Sequence, residues 1–129
     1  MKRIIGIITI IALLFTICLM EELLVSSSLK KIKADSKYLY TTSLKAEDVS
    51  KQEIYDKTMA LQNFWKKREV VLCFYINYKD MSEMSNELVK MVSYSQSNIK
   101  EEYLASLQLL MYYCETFNHI TGLNLQNIF

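Results

Sequence analysis

The chain has 129 residues, of which 51% are hydrophobic, with no proline, two glycines and a net charge of +1 at pH 7. Folds built from β-strands use glycine and proline freely at their turns, so this composition excludes most of them and indicates a few long helices in one domain. The near-zero net charge excludes a global attraction to nucleic acid, and the hydrophobic content excludes intrinsic disorder.

An apolar segment near the N-terminus, residues 4–20, follows two basic residues. As a helix it would be about 25 Å long, close to the ~30 Å hydrocarbon core of a bilayer. Secretory signals have a shorter apolar core and small residues before the cleavage site, whereas Glu21 and Glu22 follow here. We therefore expect an uncleaved membrane anchor over residues 1–25. A cleaved signal and a buried helix of a soluble protein are the alternatives.

The basic residues at both ends of this segment bear on its orientation. Lys2 and Arg3 favour a cytoplasmic N-terminus under the positive-inside rule, although lysines also follow the segment from Lys30 onward. Because the start of the chain resembles that of an exported protein, we predict a single-pass protein of the cell membrane. Its N-terminus is then cytoplasmic and its C-terminal domain is extracytoplasmic.

Three more helical segments are predicted after the anchor helix, which has no helix-breaking residue before about Tyr40. Residues 41–43, Thr-Thr-Ser, predict the first corner. The second helix is expected over residues 46–77, where large apolar side chains recur at helical spacing. They are Ile54, Leu61, Trp65, Leu72 and Ile76.

Further corners are predicted at residues 77–80 and 93–98, on either side of a third helix. That helix carries a stripe of apolar residues with heptad-like spacing, namely Met81, Met84, Leu88 and Met91. Asn98 and Glu101 resemble a capping box at the start of the last helix, and Gly122 is expected to be its C-cap.

Short corners between these segments predict that neighbouring helices are antiparallel. The expected fold is all-α, with an N-terminal transmembrane helix followed by a small antiparallel bundle of three to four helices. The expected parts are the anchor over 1–25, an extracytoplasmic bundle over 26–122 and an apolar tail over 123–129 that packs on the bundle.

The charged residues are unevenly distributed along the chain. Residues 30–68 hold ten basic and five acidic residues, whereas residues 69–129 hold three and seven. We interpret these as solvated helix faces that complement one another when the segments pack. Contact of the lysines at 30–37 with anionic lipid headgroups or wall polymers is the alternative.

Groups for catalysis or metal binding are sparse. His119 is the single histidine, and a helix dipole explains its place near a helix end. Zinc needs several ligands at short spacing, and a phosphate loop needs more than two glycines. We therefore predict that the protein is not an enzyme and has no catalytic residue, no metal, no cofactor and no nucleic-acid partner.

Two cysteines, Cys73 and Cys114, fall near the same level if the second and fourth helices run parallel. Outside the cytoplasm a disulfide between them is sterically open. Both also lie on apolar stripes, where a free cysteine packs as a small hydrophobic residue. Buried free thiols are therefore the other interpretation.

Candidate partner contacts are predicted at two places. Trp65 and Arg68 lie one turn apart on one helix face, and the arginine interrupts an apolar stripe. Ile128 and Phe129 end the chain with apolar side chains, where chain ends are usually polar. Core packing and folding of the tail onto the bundle are the structural alternatives.

Three features together resemble the domain of unknown function 4363 family. They are Trp65 in a long helix, the pattern I-x-x-K-D-x-x-E-x over residues 76–84, and the ending LNLQNIF over residues 123–129, all behind a basic and apolar start. The resemblance implies a short bacterial protein with an N-terminal membrane segment and a helical extracytoplasmic region, and it implies no activity. Members often carry a histidine near the second corner, where this chain has Asn77 and Tyr78.

The expected function is that of a membrane-anchored, non-catalytic binding or accessory component of a cell-envelope assembly. Its partners would be the lipid bilayer, through residues 4–20, and a membrane protein. The alternative is a secreted or tethered module that binds a small ligand in a pocket among the Met and Tyr side chains of its core.

Overall fold

The structure, a computed structural model, describes residues 1–128 and the side chains of residues 1–117. It contains four helices, α1 (Lys2–Lys45), α2 (Gln52–Leu72), α3 (Tyr78–Gln96) and α4 (Lys100–Ile128), and the described residues include no strand. The predicted all-α class and the predicted number of helices are confirmed.

The four helices form a ring around one core. Each packs against its two neighbours, so that α1 lies between α2 and α4, and α3 lies between the same two helices on the opposite side. Short corners make consecutive helices antiparallel. The two remaining pairs, α2 with α4 and α1 with α3, lie diagonally across the ring. Within the described residues the backbones of each diagonal pair make no close contact.

The core is filled by the apolar stripes that the sequence predicts. The third-helix stripe is fully buried or nearly so, and the largest side chains without solvent contact are Trp65 and Tyr103. The stripe of α2 lies opposite it and is buried as well. Its members are Ile54, Leu61, Trp65, Leu72 and, just beyond the helix, Ile76.

Helix α1 has two halves with different surroundings. From residue 4 to residue 20 its apolar side chains are exposed, and burial begins at Val25 and continues through Leu29 and Ile32. The helix runs without a break across the predicted boundary at residue 25. An apolar rod about 25 Å long therefore projects from the bundle as a direct extension of its first helix.

The first two corners are displaced from their predicted places. α1 continues to Lys45, because the hydroxyl of Thr41 donates to the carbonyl of Lys37 and so fits inside the helix rather than ending it. The second corner lies between Leu72, where α2 ends, and Tyr78, where α3 begins, and so comes earlier than the predicted residues 77–80. Asn77 is the N-cap of α3, where its Oδ1 accepts from the backbone N–H of Asp80 at 2.9 Å.

The third corner contains Asn98 in the left-handed region, with φ of 54°. Its Oδ1 accepts from the backbone N–H of Val49 at 2.9 Å, so the side chain joins the α1–α2 corner to the α3–α4 corner. The predicted capping box of Asn98 with Glu101 is therefore wrong. The side chain of Asn98 instead forms a hydrogen bond to the other corner, with Val49, which is 49 positions earlier in the chain.

Helix α4 continues to Ile128, so the prediction that it ends at Gly122 is wrong. A glycine inside a helix costs only about 1 kcal/mol relative to alanine, which neighbouring helix-forming residues offset. The side chains of His119, Ile128 and the rest of 118–129 lie outside the described residues, and so does Phe129 as a whole. Packing of the tail on the bundle stays a prediction.

Candidate functional site

A groove of about 530 Å³ lies on the bundle surface between α1 and α2. Its walls combine three lysines, one carboxylate, two aromatic rings and an apolar floor. The lining residues are Lys31, Asp35, Tyr38 and Leu39 of α1 and Lys57, Ala60, Leu61, Asn63, Phe64 and Lys67 of α2. We call this surface the α1–α2 groove.

At one end of the α1–α2 groove, Tyr38 and Lys57 form a polar bridge between the two helices. Lys57 Nζ donates to the Tyr38 hydroxyl at 2.8 Å and to Glu53 Oε1 at 3.1 Å. The hydrogen bond from Lys57 lowers the pKa of Tyr38, and the bonds to Tyr38 and Glu53 raise the pKa of Lys57. The ammonium group therefore stays charged and in place at this end.

Toward the anchor, the ring of Phe64 has two cations close to it. Lys31 Nζ is 5.0 Å and Arg68 Cζ is 5.2 Å from the ring centroid, which are cation–π distances. Lys31 also pairs with Asp35 at 3.9 Å along α1. The Nε of Arg68 is buried and has no hydrogen-bond partner among the described residues. Burial of an unpaired donor costs free energy, so this nitrogen is an unfavourable feature of the fold.

The charge and shape of the α1–α2 groove suit one class of molecule. Three lysines against one aspartate give it a net positive charge, while Phe64, Tyr38 and Leu39 supply apolar surface. Such a mixture binds an anion that also carries an apolar part, because charge-assisted hydrogen bonds and apolar burial then act together.

Sequence reasoning singled out Arg68 near this groove but missed Tyr38, Lys57 and Phe64. The missing information is the register of α1 against α2, since the residues that meet are 19 to 33 positions apart and each looks like an ordinary helix-surface residue. The sequence gives one indication of the groove, which is helical spacing. This spacing puts Lys57, Phe64 and Lys67 on one face of α2, and Lys31 and Tyr38 on one face of α1.

Trp65, the other predicted contact on this helix, lies in the core with 1% of its surface exposed. Its indole N–H donates to Ser85 Oγ at 2.8 Å, and that hydroxyl donates to Glu69 Oε1 at 2.6 Å. The ring is therefore used to join α2 to α3, and no part of it forms a surface. A partner contact at Arg68 stays a prediction.

A second cavity of about 440 Å³ lies between α2 and α3 near the second corner. Val70, Cys73, Tyr78 and Met81 form its apolar part, and Glu69, Ser82 and Ser85 its polar part. Met84, Met91 and Tyr103 have no solvent contact and fill the interior of the bundle. A ligand pocket among the Met and Tyr side chains of the core stays a prediction.

The two cysteines considered for a disulfide are both free thiols. Cys73 is exposed at the end of α2, whereas Cys114 is buried in α4, where loss of hydration raises its pKa to about 12. The two parallel helices are diagonal in the ring rather than adjacent, which keeps the residues apart. A similar height of Cys73 and Cys114 along two parallel helices is therefore not sufficient for a disulfide.

Two features of the described residues bear on metals and membranes. No group of three or more His, Cys, Asp and Glu side chains could hold a metal ion in this part of the chain. α1 is the one described helix that is long and apolar enough to cross a membrane.

Comparison with known proteins gives a family match. The family model described as "Domain of unknown function (DUF4363)" matches residues 24–128. The match begins where α1 enters the bundle and covers all of its four-helix part, including both cavities. No curated protein and no solved structure matches the chain.

Proposed function

Since this chain belongs to the family of the domain of unknown function DUF4363, we propose its function from its own geometry. It is a single-pass, membrane-anchored helical protein that acts without catalysis, as a binding or accessory component of a cell-envelope assembly. The bilayer holds residues 4–20, the N-terminus is cytoplasmic, and the bundle stands outside the membrane.

The observation that carries this proposal is the contrast between the two halves of α1. Apolar side chains from Ile4 to Met20 are exposed all around the helix, yet the same helix buries Val25, Leu29 and Ile32 in the bundle. Exposed apolar surface of this extent is unfavourable in water, and a spanning helix satisfies all its backbone groups internally. A bilayer around residues 4–20 with the bundle outside it accounts for the exposed half and for the buried half of α1.

The anchor is tested in the full chain by two charged substitutions, Ile10→Asp with Leu13→Asp. Each places a carboxylate near the middle of the span, at a cost of about 2.5–3.5 kcal/mol. We expect the natural chain to stay with membranes after an alkaline carbonate wash and the double variant to be released. The matched control is Ile10→Leu with Leu13→Ile, and release of the natural chain itself would refute the anchor.

The orientation is tested by reporter fusions at the C-terminus. A phosphatase that is active only outside the cytoplasm should be active on the full chain, and a fluorescent protein that folds only inside should be dark. The reverse pattern would refute the extracytoplasmic bundle while leaving the anchor intact.

The partner is tested by placing a photo-crosslinking amino acid at Lys67, beside Arg68, and at Lys45 as the control. Both positions are exposed, but only position 67 borders the α1–α2 groove. We expect one membrane protein to be crosslinked from position 67 in intact membranes and not from position 45. Equal crosslinking from both positions would contradict a specific contact at this face.

A second candidate function, a small-ligand-binding module, is favoured by the composition of the α1–α2 groove. Its lysines and aromatic rings suit an apolar anion, and anilinonaphthalene sulfonate is a suitable probe. We expect the probe to bind with saturation and Lys31→Gln with Lys67→Gln to weaken binding several-fold. Lys45→Gln, at the far end of α1, is the control, and equal effects of both changes would refute the groove as the site.

A further inference from the structure

We propose that the corner between α2 and α3 rests in the headgroup region of the same bilayer that holds α1. The contact surface is Val70, Phe74 and Tyr78, which we call the corner patch. This inference rests on the proposed membrane anchor and adds a second, separate contact with the lipid. The bundle is then fixed at two points and stands at a defined height on the membrane.

One hydrogen bond places the corner beside the end of the apolar rod. The hydroxyl of Tyr75 donates to Glu21 Oε2 at 3.3 Å, and Glu21 is the first charged residue after the apolar run of residues 4–20. Burial raises the pKa of Tyr75, followed by the effect of Glu21, so the phenol stays protonated and able to donate. The corner is thereby held at the level where hydrocarbon gives way to headgroups.

The pairing of α1 with α2 gives the same level independently. Lys57 meets Tyr38, and Phe64 meets Lys31, so each step up α1 is matched by a step down α2. Continuing this antiparallel register brings Phe74 opposite Glu21. The corner therefore cannot lie higher on the bundle without breaking the contacts that line the α1–α2 groove.

The corner patch is exposed although its residues are large and mostly apolar. Val70, Phe74 and Tyr78 are 71%, 77% and 86% exposed, while their neighbour Ile76 is buried at 6%. The buried isoleucine and the bond of Tyr75 hold the corner in place, so the exposure belongs to an ordered turn. Tyrosine favours the interface between membrane and water, where its ring is buried and its hydroxyl stays hydrated, and Tyr78 fits this preference. Phe74 and Val70 supply apolar surface for the same contact.

Basic residues lie where anionic headgroups would reach them. Lys66, Lys67 and Arg68 stand about two helical turns above Phe74, and Lys30 and Lys31 flank them on α1. Seven residues of helix rise about 10 Å, which is close to the Debye length at physiological ionic strength. Attraction of these basic residues to anionic lipid acts in the same direction as burial of the corner patch, and repulsion from Glu21, Glu22 and Glu69 opposes it.

The chain's own cysteines provide the experiment. Cys18 lies in the apolar rod and Cys73 in the corner, both exposed, whereas Cys114 is buried. A fluorescent maleimide is placed on Cys18 in the Cys73→Ser variant and on Cys73 in the Cys18→Ser variant. Each full chain is reconstituted into phosphatidylcholine–phosphatidylglycerol vesicles, with and without a phosphatidylcholine that carries a nitroxide just below its headgroup.

We expect the nitroxide lipid to quench both labels, and to leave unquenched a label at Ile99→Cys in a variant without Cys18 and Cys73. Position 99 lies in the third corner, at the opposite end of the bundle. Quenching of Cys18 alone would refute the corner contact and leave the anchor standing. Quenching of neither label would refute both the anchor and this inference.

A substitution in the corner patch separates specific contact from simple proximity. Phe74→Asp should reduce quenching of the Cys73 label several-fold, because a carboxylate is repelled by anionic lipid and the ring is lost. Val89→Asp is the matched control on the exposed face of α3. Equal quenching in the natural chain and in Phe74→Asp would refute a contact made by the corner patch.

Discussion

The hydroxyl groups of Thr58 and Tyr103 lie 2.7 Å apart inside the core, although the two residues are 45 positions apart in the chain. They join α2 to α4, the diagonal pair of helices whose backbones do not come close within the described residues. Thr58 donates its own proton to the carbonyl of Ile54 at 2.7 Å, so Tyr103 is the donor between them. One buried phenol thus fixes how the two halves of the ring face each other.

Removal of this hydroxyl by Tyr103→Phe should lower the free energy of unfolding by about 1 kcal/mol, the usual net worth of a buried hydrogen bond. Thr58 keeps its bond to Ile54, so no buried donor is left unpaired. Urea unfolding of the full chain in detergent, followed by circular dichroism, measures the change. Tyr112→Phe on the exposed face of α4 should have no effect, and equal losses in the two variants would contradict the assignment.

Asn98 should be more sensitive to replacement by alanine than by glycine. Alanine loses the bond to Val49 and must also adopt a positive φ, so we expect a loss of about 2 kcal/mol. Glycine loses the bond alone and adopts this backbone conformation without strain, so it should cost about 1 kcal/mol less than alanine. The same unfolding measurement applies.

Asn86→Ala provides the control for Asn98, because Asn86 is exposed in the middle of α3. It should leave stability unchanged or raise it slightly, since alanine is the better helix former. If alanine and glycine at position 98 cost the same, backbone strain does not contribute, and the left-handed conformation has no energetic consequence there.

The helices and their buried faces could be predicted from the sequence, but the positions of the corners between the helices could not. Met84, Leu88 and Met91 recur at a helical period, and that period determines which face is buried. The corners were harder, because serine and threonine can either cap a helix or bond to the preceding turn, and tertiary contacts decide between them.

The surfaces of the protein could not be predicted for a related reason. Phe74 and Val70 are residue types that usually lie in a core, and they are exposed here because of how α2 packs. Trp65 shows the opposite case, since a residue type favoured at interfaces is buried here with its N–H satisfied by Ser85. The α1–α2 groove depends on the register of two helices, which apolar periodicity does not encode.

Ser85 should matter more for stability than its small side chain suggests. Ser85→Ala removes the acceptor of the Trp65 indole N–H and the donor to Glu69, so we expect a loss of about 1–3 kcal/mol. Trp65 is the single tryptophan, and its emission should shift with the change in its surroundings. Ser82→Ala, one turn earlier on α3, should alter neither quantity, and an unchanged emission in Ser85→Ala would contradict the bond.

The two cysteines of the bundle should differ strongly in reactivity. The pKa of Cys114 is about 12, so at pH 8 about one thiol in 10⁴ is ionised, against about a quarter for an ordinary thiol of pKa 8.5. Exposed Cys73 should therefore react with iodoacetamide at least about 10³-fold faster, since burial slows Cys114 further. The Cys18→Ser chain isolates this comparison, and mass spectrometry of timed samples measures it.

Urea provides the internal control for this difference in thiol reactivity. Once the bundle unfolds, Cys114 regains an ordinary pKa and should be alkylated as fast as Cys73. Equal rates before unfolding would show that α4 does not bury this thiol. Failure of both thiols to react in urea would instead show that they are joined in a disulfide, and would restore the bridge that the diagonal placement of α2 and α4 argues against.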